Sequence, residues 1–159
     1  MKTIMERISY QGLPQGMFEK LMAVEALVNG GSLDFQLLEL ARLRVSQING
    51  CAYCVDMHHK ELKHAGETEL RLASLTVWEE TGYFTEREQA VLAFAEELTL
   101  VSEYGVSDER FAQLAHHFPK EEIALLTLAI AQINTWTRLM RTFRFTPGKY
   151  RVQPAATAV

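Results

Sequence analysis

The chain has 159 residues and a mass of 18.1 kDa, the size of one ordinary domain, which can build a core without disulfide bonds. Hydrophobic residues make up 48% and charged residues 23% of the sequence, a composition that excludes wholesale disorder. The net charge of −4 gives no field that would attract nucleic acid.

The charge is distributed unevenly along the chain. Residues 1–122 carry 11 basic and 20 acidic side chains, whereas residues 123–159 carry five basic side chains and no acidic one. We interpret this basic segment as an exposed helix face whose cations pair with acidic residues elsewhere in the fold. Contact with an anionic partner is the alternative.

The sequence predicts neither export nor membrane insertion. The first ten residues mix charged and apolar side chains, unlike a secretory signal. The longest uncharged stretch, residues 123–137, is shorter than the roughly 20 apolar residues of a membrane span. We therefore expect a soluble, cytoplasmic protein that does not bind membranes.

The spacing of apolar residues, together with glycines that end helices, predicts an all-α chain with no sheet. We expect a single domain over residues 1–159 with about six to seven helices, a core over about 15–145 and a short flexible C-terminal tail after Tyr150. The predicted helices, with approximate ends, are Pro14 to Asn29, Ser32 or Asp34 to Asn49, Cys51 to Ala65, Thr68 to Thr81, Thr85 to Ser102, Ser107 to just before Pro119, and Pro119 to Arg141.

The second predicted helix is apolar around most of its circumference, which indicates a largely buried helix. Its polar residues Glu39, Arg42 and Ser46 form a narrow stripe. Burying a carboxylate is unfavourable unless it is paired. The pattern alone therefore favours an ion pair between Glu39 and Arg42.

The two cysteines of the chain, Cys51 and Cys54, form a C-x-x-C motif at the start of the third predicted helix. At about 100° per residue, Cys54 lies about 60° and His58 about 20° from Cys51 around the helix axis. Two thiols and an imidazole therefore share one helix face.

Four interpretations of this motif compete. Haem attachment is excluded because Val55, not histidine, follows the second cysteine. A structural zinc site needs a fourth ligand, for which His59 or His64 are weak candidates. A buried pair of inert thiols is a third interpretation. The fourth, which we favour, is a redox dithiol that forms a transient catalytic disulfide.

Local physics leaves open which sulfur attacks first. The thiolate is the nucleophile, and a helix N-terminus stabilises an anion best at Cys51. His58 can instead accept the proton of Cys54. A nearby glutamate would hold His58 in the required tautomer.

Glu39 followed after eleven residues by Cys51-x-x-Cys54-x-x-x-His58 resembles the signature of the alkylhydroperoxidase D-like branch of the carboxymuconolactone decarboxylase family. The segment from Ile133 to Leu139 is also similar to that branch. The resemblance implies an all-helical fold, assembly into homo-oligomers, as trimers or hexamers, and thiol-dependent reduction of hydroperoxides, with no cofactor. The decarboxylase branch lacks the cysteine pair, so lactone decarboxylation is disfavoured.

The resemblance also implies a role for each catalytic residue. Cys54 attacks the hydroperoxide and becomes a sulfenic acid, Cys51 resolves it into a disulfide, and His58 with Glu39 relays protons. An external dithiol, dihydrolipoyl or thioredoxin-like, restores the thiols. The alternative is a redox-sensing or thiol–disulfide exchange module without peroxidase turnover.

One residue departs from the family pattern, which has histidine where this chain has Tyr53. A phenol donates hydrogen bonds but is a poor base at neutral pH, so we expect a slower relay. Trp136 and Asn134 are expected in the core more than in a pocket, and Arg138 is a candidate partner of Glu39.

Overall fold

The computed structural model describes residues 5–153. Within that range the chain forms eight α-helices, two short 3-10 helices and no strand, which confirms the all-α prediction. The α-helices are α1 Met17–Asn29, α2 Phe35–Ile48, α3 Ala52–His64, α4 Glu69–Ser74, α5 Glu86–Thr99, α6 Val101–Tyr104, α7 Asp108–His117 and α8 Lys120–Phe143, and the 3-10 helices are Tyr10–Gly12 and Leu75–Glu80.

The end of the predicted flexible tail, residues 154–159, lies outside the described residues. No helix within residues 5–153 combines the length and apolar character needed to cross a bilayer.

Side-chain caps start several helices where the sequence predicts them. The Asp34 carboxylate accepts a hydrogen bond from the Leu37 amide at 2.9 Å and opens α2. Thr85 and Glu88 form the predicted capping box of α5. The first helix starts three residues later than predicted, because Gly16 has a left-handed φ of 78° and the helical conformation begins at Met17.

Two predicted helices are interrupted. The prediction of one helix over residues 68–81 is wrong, since α4 ends at Ser74 and Val77 is non-helical at φ −128° and ψ 32°. This kink leaves Val77 52% exposed and turns Trp78 into the core at 6% exposure. The helix predicted to reach Ser102 ends at Thr99 and is followed by the separate short helix α6.

Helix α2 is the centre of the fold and packs against α3, α5 and α8. Its leucines Leu38, Leu40 and Leu43 are each 1% exposed, and burying each such side chain contributes roughly 1.5–3 kcal/mol. This confirms the prediction of a largely buried helix. The polar residues of α2 are therefore held at fixed positions inside the protein.

The expected pairing of the C-terminal basic segment with acidic residues is wrong for the described part of the chain. Arg138 and Arg141 donate to the carbonyl oxygens of Asn134 and Asn49, at 2.8 and 2.7 Å. Within residues 5–153, no basic side chain after residue 122 lies within 4.0 Å of a carboxylate. Many acidic residues are instead paired with cations of the first 122 residues, among them Glu96 with Arg44.

Candidate functional site

The cysteine motif lies where α2 turns into α3. Gly50 makes this turn with a left-handed φ of 61°, a conformation that a side chain would strain. Cys51 is thereby placed at the N-cap of α3, where its sulfur accepts a hydrogen bond from the Cys54 amide at 3.4 Å. Cys51, Cys54 and His58 are 1%, 3% and 4% exposed. The two thiols and the imidazole, which the sequence predicts on one helix face, are therefore all buried.

Glu39 connects α2 to this face. Its Oε2 lies 2.7 Å from His58 Nδ1, and its Oε1 accepts a hydrogen bond from Arg42 Nη1 at 2.8 Å. The predicted ion pair with Arg42 and the predicted contact with His58 are thus both present, one on each carboxylate oxygen. Because Nδ1 is held by Glu39, the imidazole offers Nε2 to a ligand. Arg138 does not contact Glu39, so that candidate pairing is wrong.

Arg42 extends the network to two more helices. Its Nη2 donates to Glu25 Oε2 and to Asn29 Oδ1 of α1, each at 2.9 Å. Glu25 in turn accepts a hydrogen bond from Trp136 Nε1 of α8 at 2.7 Å. Glu39, the carboxylate that orients His58, is therefore held by Arg42, and Arg42 is in turn held by a network that extends to α1 and α8.

A cavity of about 360 Å³, here called the thiol cavity, opens against this network. Cys54, His58 and Glu39 line it, whereas Cys51 does not. The rest of its wall is mainly aromatic and aliphatic: Tyr10, Phe18, Met22, Phe35, Tyr53, Met57, Ile133, Trp136, Met140 and Tyr150. A molecule in the cavity would meet the second sulfur of the motif and not the first.

The pKa values of the two thiols are shifted in opposite directions. The hydrogen bond from the Cys54 side chain, with a smaller contribution from the Cys54 amide, lowers the pKa of Cys51 to about 7 against the effect of burial. The same hydrogen bond and burial raise the pKa of Cys54. The pair therefore loses its first proton readily, and the charge rests on Cys51.

The carboxylate of Glu39 is ionised in this setting. Burial raises its pKa, but His58 and then Arg42 act in the opposite direction and more strongly together, so that the pKa lies below its ordinary value. A charged Glu39 can stabilise a positive charge that forms on His58 during proton transfer.

Tyr53 lines the thiol cavity beside the cysteines but cannot act as a base there. Burial, followed by the effect of Tyr10, raises the pKa of its phenol. Trp136, which we expected in the core, lines the cavity with its indole N–H fixed on Glu25. Asn134 is not a cavity residue; its amide oxygen accepts a hydrogen bond from Asn49 at 2.9 Å.

Several lining residues had no signal in the sequence. Tyr10 and Tyr150 come from segments outside the predicted core over 15–145. Tyr10 stacks on Phe145 with ring centroids 4.6 Å apart. The carbonyl of Tyr150 accepts a hydrogen bond from Lys60 at 3.1 Å, and its hydroxyl donates to Glu61. Helical periodicity reports contacts within one helix and cannot detect terminal segments that fold back.

The donors that a zinc site requires do not converge in the described residues. Within residues 5–153, no three His, Cys, Asp or Glu side chains are grouped as metal ligands. His64, one of the candidate fourth ligands, is exposed at the far end of α3.

Comparison with known proteins gives relatives over most of the chain. The family model of the carboxymuconolactone decarboxylase family matches residues 15–97. The uncharacterized protein YdfG of Bacillus subtilis is 37% identical over 135 residues, which are 84% of this chain and 91% of that protein. A protein of unknown function from Agrobacterium tumefaciens, named as a candidate AhpD antioxidant defence protein, is 39% identical, with a TM-score of 0.85 over 94% of this chain and all of that one.

A second similar structure comes from a more distant relative. It is an uncharacterized peroxidase-related protein of Ralstonia eutropha with an alkylhydroperoxidase AhpD core. It has a TM-score of 0.74 at 23% identity and covers 83% of this chain and 70% of its own, so it supports the fold alone. The family model, these relatives and the all-helical architecture lead to one conclusion: the chain belongs to the carboxymuconolactone decarboxylase family, in its AhpD-like branch.

Proposed function

We propose that this protein is a thiol-dependent peroxidase that reduces hydroperoxides through a disulfide cycle of Cys51 and Cys54. One observation carries the proposal: Cys54 lines a cavity together with His58, and its backbone amide donates to the Cys51 sulfur at 3.4 Å. The candidate antioxidant role named for the Agrobacterium relative supports the same chemistry.

In the first step, access selects Cys54 as the nucleophile. Its proton passes to the Cys51 thiolate, and the Cys54 thiolate attacks the terminal peroxide oxygen. An S–O bond forms, the O–O bond breaks, and the alkoxide leaves as an alcohol after taking the proton back from Cys51. The sulfur is oxidised to a sulfenic acid and the peroxide is reduced.

In the second step, Cys51 resolves the sulfenic acid. Its thiolate attacks the Cys54 sulfur, forms the disulfide and displaces hydroxide. His58 supplies the proton that turns this hydroxide into water, and Glu39 at 2.7 Å stabilises the imidazolium form from which the proton comes.

In the third step, an external dithiol reduces the disulfide. Its thiolate attacks Cys54, the sulfur on the cavity side, and Cys51 leaves because the thiol with the lower pKa is the better leaving group. The second donor thiol then displaces Cys54, so the donor is oxidised to its own disulfide, and its two protons pass to Cys54 and to His58, which restores both groups for the next cycle. A slender arm such as a dihydrolipoyl group suits the apolar cavity; a thioredoxin-like donor is the alternative.

Two further proposals accompany this cycle. The chain assembles into trimers or hexamers, as the family resemblance implies. The competing function is a redox sensor or thiol–disulfide exchange module, which would use the same disulfide without turnover.

Steady-state hydroperoxide consumption distinguishes these functions, with dihydrolipoamide, thioredoxin and glutathione as donors. We expect many turnovers with at least one dithiol donor and none after Cys54→Ser. His58→Gln should slow disulfide formation after one equivalent of hydroperoxide by about 10²-fold or more, because positioned acid–base groups contribute about that much. His59→Gln is the matched control, since its side chain does not line the cavity, and should leave the rate unchanged. Oxidation of only one equivalent with every donor would contradict the peroxidase and favour the sensor.

A further inference from the structure

A second recess lies outside the thiol cavity. It has a volume of about 410 Å³ and is lined by Arg7, Asn49, Thr137, Arg138, Arg141 and Thr142. None of these residues lines the thiol cavity. We call it the arginine recess, because three of its six lining residues are arginines. The cycle proposed above uses none of them.

The three arginines are held in place but keep most of their donors. Arg138 and Arg141 each use Nη1 on a carbonyl oxygen, at 2.8 and 2.7 Å, and Arg7 uses Nη1 on the Thr142 carbonyl at 3.5 Å. Within residues 5–153, the Nε and Nη2 atoms of all three have no hydrogen-bond acceptor, and none of the three forms an ion pair.

The other arginines in the first 122 residues contrast with these three. Arg42, Arg44, Arg71, Arg87 and Arg110 each lie within 4.0 Å of a glutamate. Arg144 and Arg151 also form no ion pair within residues 5–153, but they do not line the recess. The recess therefore gathers three of the five arginines that lack an acidic partner in the described range around one concave surface.

The polar floor of the recess is preorganised. Asn49 donates to Asn134 and to Thr137 Oγ1, at 2.9 and 3.1 Å. Arg138 and Arg141 are three residues apart on α8 and so lie on the same side of that helix. The backbone amide of Arg7 donates to the Phe143 carbonyl at 2.7 Å, which fixes the third arginine at the end of α8. A ligand would bind with little reorganisation of these groups.

We propose that the arginine recess binds a small polyanion, namely a phosphate ester or a di- or tricarboxylate. Planar guanidinium groups match the geometry of carboxylate and phosphate oxygens and bind them through paired N–H donors. Three such groups compensate two or three negative charges, and the volume is that of a small-molecule site. The Thr142 side chain adds a hydroxyl group beside the bound oxygens, whereas the hydroxyl of the buried Thr137 already donates to the Asn134 carbonyl.

The position of the recess places the anion beside the redox centre but outside the substrate cavity. Arg141 donates to the carbonyl of Asn49, two residues before Cys51 in the turn that positions this cysteine. The site is independent of the peroxidase proposal, since binding requires only the folded chain.

Isothermal titration calorimetry at fixed ionic strength tests the proposal, with citrate, inorganic phosphate and acetate as probes. We expect saturable binding of citrate or phosphate at one site per chain, at least about ten-fold tighter than acetate. The variant with Arg138→Gln and Arg141→Gln should weaken this binding by about ten-fold or more, because each loses charge-assisted hydrogen bonds. The Arg138 and Arg141 side chains are exposed, so we expect both variants to fold, and circular dichroism checks this. The single variant Arg138→Gln should also weaken binding.

The matched control is Arg151→Gln, which removes one equally exposed arginine outside the recess. It should leave citrate affinity unchanged. Equal weakening by this control would show a general charge effect and overturn the proposal. Absence of saturable binding would also overturn it. A change of oligomeric state in the double variant would overturn it too, because it would show that the recess is an interface between copies of the chain.

Discussion

Replacement of Arg42 by methionine tests the buried network that orients His58. The Arg42 side chain is 5% exposed and lies 2.8 Å from Glu39 and 2.9 Å from Glu25. Methionine keeps much of the aliphatic volume but removes the cation between two carboxylates. Removing one partner of a buried ion pair is destabilising by about 3–5 kcal/mol, because the remaining charges stay buried without compensation. We expect a loss of that size here, with a Tm lowered by roughly 2–4 °C for each kcal/mol.

Urea unfolding at pH 7, followed by circular dichroism, measures this loss. Arg44→Met is the matched control, since Arg44 pairs with Glu96 at 2.7 Å but both side chains are more exposed, at 17% and 28%. The control should lose about 1 kcal/mol or less. Combining Arg42→Met with Glu25→Gln should restore part of the stability by removing one uncompensated charge. A loss for Arg42→Met no larger than that of Arg44→Met would refute the reasoning.

Three further predictions follow from the site. Ultraviolet thiolate absorbance should show one thiolate forming near pH 7 and its loss in Cys51→Ser; ionisation near 9.0, the ordinary thiol value, would contradict the assigned environment. The pKa of Cys51 is lower in the folded protein than in the unfolded chain, so ionisation of this thiol stabilises the fold above the ordinary thiol pKa. This stabilisation is lost as the pH falls through about 7. Glu39→Gln should slow the conversion of the Cys54 sulfenic acid into the disulfide by about 10²-fold, and a change below about three-fold would count against a proton relay. Tyr53→Phe should change the rate by less than about three-fold, since a phenol with a raised pKa is no base; a hundred-fold loss would assign Tyr53 a catalytic role.

The parts of the site that lie along one helix were predictable from the sequence. The period of the α-helix places Cys51, Cys54 and His58 on one face without reference to any other element. The polar stripe on an apolar helix marked Glu39 as a buried carboxylate that needs a partner. The resemblance to the family then joined Glu39 to His58, and the structure places their side chains 2.7 Å apart.

The remaining parts depend on how helices pack, which local patterns do not report. Glu25 and Trp136 meet at 2.7 Å although 111 residues separate them in the chain. Tyr150 reaches the cavity only because the chain after α8 returns to α3. The kink at Val77 accompanies the burial of Trp78, a tertiary contact that the local helical pattern does not report.

The order of events at the two sulfurs is the central claim, and chemical trapping tests it most directly. The Cys51→Ser variant lacks the resolving thiol, so one equivalent of hydroperoxide should leave a sulfenic acid on Cys54. A dimedone-type probe followed by peptide mass spectrometry locates it. We predict a stoichiometric adduct on Cys54 in this variant and none on Cys51 in Cys54→Ser. An adduct on Cys51 in Cys54→Ser, with hydroperoxide still consumed, would contradict the assignment of Cys54 as the nucleophile.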